Sequence, residues 1–281
     1  MNLFLGGLAV YALFAGGLYL LQDKLIFPRH ATMPPRHALP EGTERLVLHS
    51  VEGHELVGRL LRARGRSKGL VIGFSGNAWN ADDCFTFVAR RLQNVDVAVF
   101  HYRGYPPSEG EPSEQALFAD ALTIHDHLQE EIGPVRIFAV GFSLGSGVAV
   151  YLAAKRDVAG LVLVTPFDSI EEIARARYRI LPVRALLKHP FRSILHLDGV
   201  NTPTAVIAAS DDRVVPRART QALVDGLHDL VMFETVPDST HGGIYDLAAI
   251  DEMLRRAFEA VAGRTIDYET KPPDPMRDDP P

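Results

Sequence analysis

The chain has 281 residues, 47% of them hydrophobic and 23% charged, with a formal net charge of −6. That is ordinary globular composition, long enough for one large core, and the slight acidity argues against nucleic-acid binding, which carries a basic surplus. A single cysteine, Cys84, excludes an internal disulfide, and no Cys/His cluster has zinc spacing.

The first element is "NLFLGGLAVYALFAGGLYLLQ", Asn2 to Gln22, which carries no charge. As a helix rising about 1.5 Å per residue it reaches about 31 Å, the thickness of a bilayer's hydrocarbon core. It reads as a single-pass membrane anchor over residues 1–23. A cleaved signal peptide is one alternative, because Ala15-Gly16-Gly17 offers small residues for cleavage, but no Lys or Arg precedes the apolar run. A buried core helix is the other, against which no polar face marks an outward side. Lys24, Arg29 and Arg36 follow the span, and the positive-inside rule then places the downstream domain on the cytoplasmic side of the cell membrane.

From Gly42 onward strand-like and helix-like segments alternate. "ERLVLHS" and "HELVGRLLRA" read as two opening strands joined at Glu52-Gly53. "GLVIGFSG", "DVAVFHYRG", "VRIFAVGFS", "AGLVLVTPF", "TAVIAAS" and "LVMFETVP" are short continuous apolar runs, suited to strands buried on both faces of a parallel sheet. Helical stretches separate them. "DDCFTFVARRLQ" opens on two acids suited to capping its first turn, and "SEQALFADALTIHDHLQEEIG" has a polar start and a terminal glycine. "LGSGVAVYLAAKRD", "RARTQALVDGLH" and "IYDLAAIDEMLRRAFEAVAG" complete the set. The alternation predicts a doubly wound, mostly parallel α/β sheet over residues 24–265, with ligands at the carboxyl ends of its strands. Residues 266–281, ending in "KPPDPMRDDPP", read as a disordered tail.

Those strand ends hold the chemistry. Gly141-Phe142-Ser143-Leu144-Gly145 is G-x-S-x-G between a strand and a helix. In so tight a turn, side chains at Gly141 and Gly145 would collide, and the strained serine backbone lifts its hydroxyl above the sheet. Ser143 is therefore the predicted nucleophile, and it needs a base held by a carboxylate. Of the histidines after Ser143, His241 in "DSTHGG" follows the last strand at its carboxyl end, whereas His189, His196 and His228 do not. For the acid, Asp212 is preferred, four residues before Pro216. Asp211 is its rival, and Asp168 in "TPFDS" reads rather as a helix N-cap for "SIEEIARA". The oxyanion needs preorganised donors: the backbone N–H of Leu144, and that of Asn77 in "SGNAWNADD", where Gly76 permits close approach.

Together "QDKLIFPR", "GNAWN", "YRGYPPSEGEPSEQAL", "GFSLGSGVA", "SDDRVVP" and "STHGG", in this order, resemble the α/β-hydrolase superfamily from about Leu25 to Gly263. They look most like its small N-terminally anchored branch, similar to the α/β-hydrolase-domain protein depalmitoylases. In that branch the acid usually stands four residues before the proline, which favours Asp212. Three positions depart from the pattern. Ser75 replaces a frequent His before Gly76-Asn77, His101 stands where Asp is common, and Pro106 where Gly is common. The resemblance implies a membrane-tethered serine esterase or thioesterase, acting on an acyl substrate without metal or organic cofactor. A peptidase of the same fold and a non-catalytic membrane scaffold are the other readings.

Two further residues and one segment draw comment. Cys84 reads as a packed small apolar residue. Trp79, in the oxyanion loop, either lines an acyl pocket or covers the core. Between Ile173 and Leu197, six basic residues (Arg175, Arg177, Arg179, Arg184, Lys188 and Arg192) interleave with apolar ones and no acid. That mixture suits a small cap over the active-site edge, read either as a solvated basic face over an ordinary apolar cap or as a segment resting on anionic lipid and turning the site toward the bilayer.

Overall fold

The apolar runs become the strands of one sheet in the computed structural model, which describes residues 2–133 and 135–270. Asn2–Ile26 is helix α1. A hairpin follows, β1 (Glu44–His49) and β2 (Glu55–Leu61), turning through Gly53 at φ 86°. Then come β3 (Leu70–Phe74), α2 (Ala81–Arg91), β4 (Asp96–Phe100), α3 (Glu114–Ile132), β5 (Ile137–Phe142) and α4 (Leu144–Lys155). β6 (Gly160–Val164), α5 (Ile170–Arg177), α6 (Val183–Leu186), β7 (Thr204–Asp211), α7 (Arg217–Asp225), β8 (Leu230–Thr240) and α8 (Ala248–Thr270) complete the chain.

The eight strands lie in the order β1-β2-β4-β3-β5-β6-β7-β8, and from β4 to β8 every pair is parallel. Every residue of β3, β4, β5 and β6 is buried, which explains why these strands read as unbroken apolar runs rather than alternating ones. One core lies under α3, α4 and α7 and includes Leu117, Val148 and Leu223. The other lies under α2 and α8 and includes Phe85, Val88, Leu254 and Phe258. Strand order reverses at β3: the chain leaves it for β4 on one side and returns to β5 on the other. Crevices open at such switch points, beyond the carboxyl ends of the strands. Here those ends carry Ser75-Gly76-Asn77 and Ser143.

Two helix starts differ from expectation. Asn80, not the acids after it, caps α2 by accepting from Asp82 N at 2.9 Å. Asp82 turns to Arg59 (2.8 Å) and His101 (3.2 Å), while Asp83 accepts from the backbone of Arg36 and His37. Burial alone would raise the Asp82 pKa, but hydrogen bonds from His101 and Arg59 outweigh it and hold the carboxyl far below its usual range. His101, in place of the common aspartate, thus gives the buried Asp82 carboxylate a second partner beside Arg59. At α5 the cap is Ser169, accepting from Glu172 N at 2.9 Å, and not Asp168. Asp168 instead pairs with Arg219 at 3.0 Å, a charged partner stronger than a lone amide.

α1 is no core helix: Leu13, Leu20, Leu21 and Leu25 all stand exposed. Its stretch Phe4–Ile26, 23 residues, is long and apolar enough to cross a membrane. At the other end α8 runs through Thr270, past the expected boundary at 265. Residues 271–281 of the predicted tail lie outside the described residues.

The segment between β6 and β7 forms a small cap of α5, α6 and the 3-10 turn Ser193–His196. It packs on the C-terminal half of α1 rather than along the cleft beside His241. Four of its six basic side chains are paired. Arg175 meets Glu172, Arg184 and Arg192 meet Glu171, and Lys188 meets Asp23 of α1. Glu171 and Glu172 lie just before the stretch that reads as acid-free and Asp23 far from it in the chain, so its field is weaker than the letters imply. Among the described residues, Arg177 and Arg179 have no ion pair.

Candidate active site

The turn after β5 forces the serine into an uncommon conformation. Ser143 has φ 49° and ψ −114°, a positive φ outside what a β-strand or right-handed helix allows. The turn survives because its neighbours have no side chains. A Cβ on Gly141 would come within 2.5 Å of the Gly145 carbonyl oxygen, and one on Gly145 would run into the Phe74 carbonyl. The hydroxyl is thereby presented at the head of α4, while the Ser143 amide stays tied to Val164 O at 2.9 Å.

His241 follows β8 directly. This strand is longer than its apolar letters indicate, running on through Pro237-Asp238-Ser239 to Thr240 alongside β7. His241 Nδ1 lies 2.7 Å from Asp212 Oδ2, and Nε2 lies 2.8 Å from Ser143 Oγ. A carboxylate only accepts, so the ring proton belongs on Nδ1 and Nε2 is left to accept from the serine hydroxyl. Asp212 is itself held: its Oδ1 accepts from Val214 N at 2.9 Å and Val215 N at 2.7 Å. Its side chain is 7% exposed, against 61% for Asp211, which meets only Arg213 at 3.4 Å. Asp168 is engaged with Arg219 and Ser169 and does not meet His241. The structure therefore brings together Ser143, His241 and Asp212 and leaves both rival acids outside.

The two amides named for the oxyanion lie on neighbouring segments. Leu144 N opens α4, where no preceding helical carbonyl serves it. Gly76 approaches so closely that a Cβ there would lie 3.8 Å from Ser143 Cβ. Among the described residues neither Leu144 N nor Asn77 N donates a hydrogen bond. The loop is braced without a histidine at position 75. Tyr102 Oη donates to Ser75 O at 2.8 Å, and Asn77 Nδ2 donates to Ile26 O at 3.0 Å, the last turn of α1.

The sequence reading misses a clamp. A bulge shifts the β7–β8 register between Ala209 and Asp211. Across it Ser210 N donates to Ser239 Oγ, and Ser239 N donates to Ser210 Oγ, both at 3.1 Å. The exchange joins the strand ends that carry Asp212 and His241. Two isolated serines carry no local signal, because only the register makes them partners. Ser239→Ala leaves Ser210 N and Val236 O without their bonds. It is expected to cost about 1–3 kcal/mol of stability in urea unfolding and to lower kcat more than it raises KM.

A cleft of about 690 Å³ reaches His241, Gly76 and Asn77. Its lining includes Trp79, Phe87 and Tyr245 together with the charged Arg36, Arg90, Asp83 and Asp246. Trp79 packs edge-on against Phe142 at 5.2 Å, covering the core, and its other contacts place it on the wall of this cleft. Cys84 is wholly buried, and burial pushes its thiol far above the usual range, which removes it as a nucleophile.

A strand-turn-helix serine, a histidine after the last strand and this strand order define the α/β-hydrolase class, and the chain belongs to that family. Residues 70–187 match the family described as "alpha/beta hydrolase fold". An uncharacterized protein of Mycobacterium tuberculosis strain H37Rv is 35% identical over 83% of this chain and 86% of its own. The lysophosphatidylserine lipase of Danio rerio is 34% identical over 43% of this chain and 36% of its own. An esterase of Pyrococcus furiosus shares the fold with a TM-score of 0.62 at 14% identity, over 83% of this chain and 97% of its own.

Proposed function

We propose that the protein is a membrane-tethered serine hydrolase that cleaves a carboxylic ester or thioester through an acyl-enzyme. The observation that carries this reading is the unbroken chain of contacts from Ser143 Oγ through His241 to Asp212, at 2.8 and 2.7 Å. His241 Nε2 takes the hydroxyl proton as Ser143 Oγ bonds to the acyl carbon. The resulting oxyanion is held by the N–H groups of Leu144 and Asn77. When the bond to the leaving oxygen or sulfur breaks, His241 returns that proton to it. Water, activated by the same imidazole, then hydrolyses the acyl-enzyme. Asp212 keeps the imidazole in the tautomer this needs.

The membrane reading rests on α1, whose apolar surface is exposed along its length. Lys24, Arg29 and Arg36 after it favour a cytoplasmic hydrolase domain. The lipase named among the relatives favours a lipid-derived acyl substrate over a peptide. Labelling with a fluorophosphonate probe, followed by side-by-side turnover of acyl esters, acyl thioesters and aminoacyl amides, tests the proposal. Labelling at Ser143 with esters or thioesters turned over fastest is expected. Fastest turnover of amides would make it a peptidase, and a folded protein that takes no label would make it a scaffold.

A further inference from the structure

Between α1 and the cap lies a second cavity, a groove of about 180 Å³. Leu18, Leu25 and Ile26 form one wall, and Ile170, Ala174 and Leu187 are on the other. We propose that this groove holds the acyl chain of the substrate, leaving the charged cleft beside His241 to the leaving group. The assignment rests on the serine-hydrolase reading above and gives that site a direction.

Three observations carry it. The first is chemical contrast. The cleft at His241 mixes the aromatic wall of Trp79, Phe87 and Tyr245 with the charged Arg36, Arg90, Asp83 and Asp246, whereas the groove is walled mainly by aliphatic side chains with no charged one. A methylene chain gains more by entering the second, where no charged group has to be desolvated, than the first. Its size, close to that of an apolar cavity of about 150 Å³ that admits benzene, suits a stretch of chain rather than a whole lipid.

The second is polar satisfaction. Gln22 is the one amide on the groove's lining and is 7% exposed. Its Nε2 donates to Tyr19 O at 2.9 Å and Leu186 O at 3.0 Å, and its Oε1 accepts from Lys188 N at 2.7 Å. A chain packed there strands none of these groups. The same bonds fasten the two walls together, as do Lys188 and His189 meeting Asp23 at 3.0 and 3.2 Å.

The third is continuity with the site and with the bilayer. Ile26, a lining residue of the groove, accepts from Asn77 Nδ2 at 3.0 Å, so one hydrogen bond ties that end of the groove to the oxyanion loop. It extends along α1 back to Ala15, about 16 Å at the helical rise. That wall is the helix long enough to cross a membrane, so a lipid chain can enter from the side without passing through water.

The test uses the full-length protein in mixed micelles, with p-nitrophenyl acetate and p-nitrophenyl octanoate, reading the octanoate-to-acetate ratio of kcat/KM. Ala174→Phe places a ring in the groove and is expected to lower the ratio about tenfold or more, the worth of a few buried methylenes. Leu18→Ala widens the groove and should move the preference toward longer chains. An unaltered ratio in both folded, active variants overturns the assignment. A second arm needs no turnover: Ser143→Ala protein in phosphatidylcholine vesicles is photolysed with a diazirine-bearing fatty acid. Adducts on peptides containing Leu18, Tyr178 or Leu187, lost in Ala174→Phe, are expected. Adducts confined to the outer face of α1 overturn the groove. Wild-type protein that cleaves neither ester, yet gives the groove adducts, overturns the hydrolase reading alone.

Discussion

Ser143→Ala is expected to lose about a million-fold in kcat on the best ester substrate and all fluorophosphonate labelling, with the fold intact. The size follows from what remains. Alanine keeps the positive-φ turn between Gly141 and Gly145, the Leu144 and Asn77 amides, and the pair of His241 with Asp212. It removes the atom that forms the acyl-enzyme, and His241 is left with no hydroxyl to deprotonate. Circular dichroism and an unchanged unfolding midpoint separate this outcome from misfolding. Residual activity within tenfold of wild type, on the order of 1.4 kcal/mol, would show that another group performs the attack.

The second large effect belongs to the acid. Asp212→Asn should lower kcat about ten-thousand-fold with little change in KM, because an amide can donate to Nδ1 and so favours the wrong imidazole tautomer. Asp211→Asn should leave kcat nearly unaltered, since its carboxylate faces solvent beside Arg213. The two variants are isosteric, neighbouring and equal in charge change. Their contrast therefore isolates contact with His241 from any general effect of lost acidity. The pair measured in the opposite order, on folded protein, would move the orienting role to Asp211.

The same two residues show how far the letters of the chain reach. Ser143 could be placed from five consecutive residues because the constraint is local: a strand must become a helix within one turn, and only glycine two positions to either side lets it. The parallel sheet was legible for a similar reason, since strands buried on both faces must be apolar throughout. His241 followed from chain order, as the histidine at the carboxyl end of the last strand. Asp212 and Asp211 are adjacent acids of equal propensity, and counting back from Pro216 can only rank them. The bulge at the end of β7 separates them, turning one carboxylate under His241 and the other to water.

Non-local features were out of reach altogether. The run from Ile173 to Leu197 reads as a bare basic surface, yet Glu171 and Glu172 of α5 and Asp23 of α1 pair with four of its six cations once the cap folds back on α5 and packs on α1. A composition window sees charge along the chain, whereas pairing depends on distance in space. The cap's place beside α1, the Ser210–Ser239 exchange and the tie from Asn77 to Ile26 arise the same way. Each joins groups 29 or more positions apart. Hydrophobic patterning specifies which faces are buried, but the choice of neighbour across a buried face is made by the packing of the whole molecule.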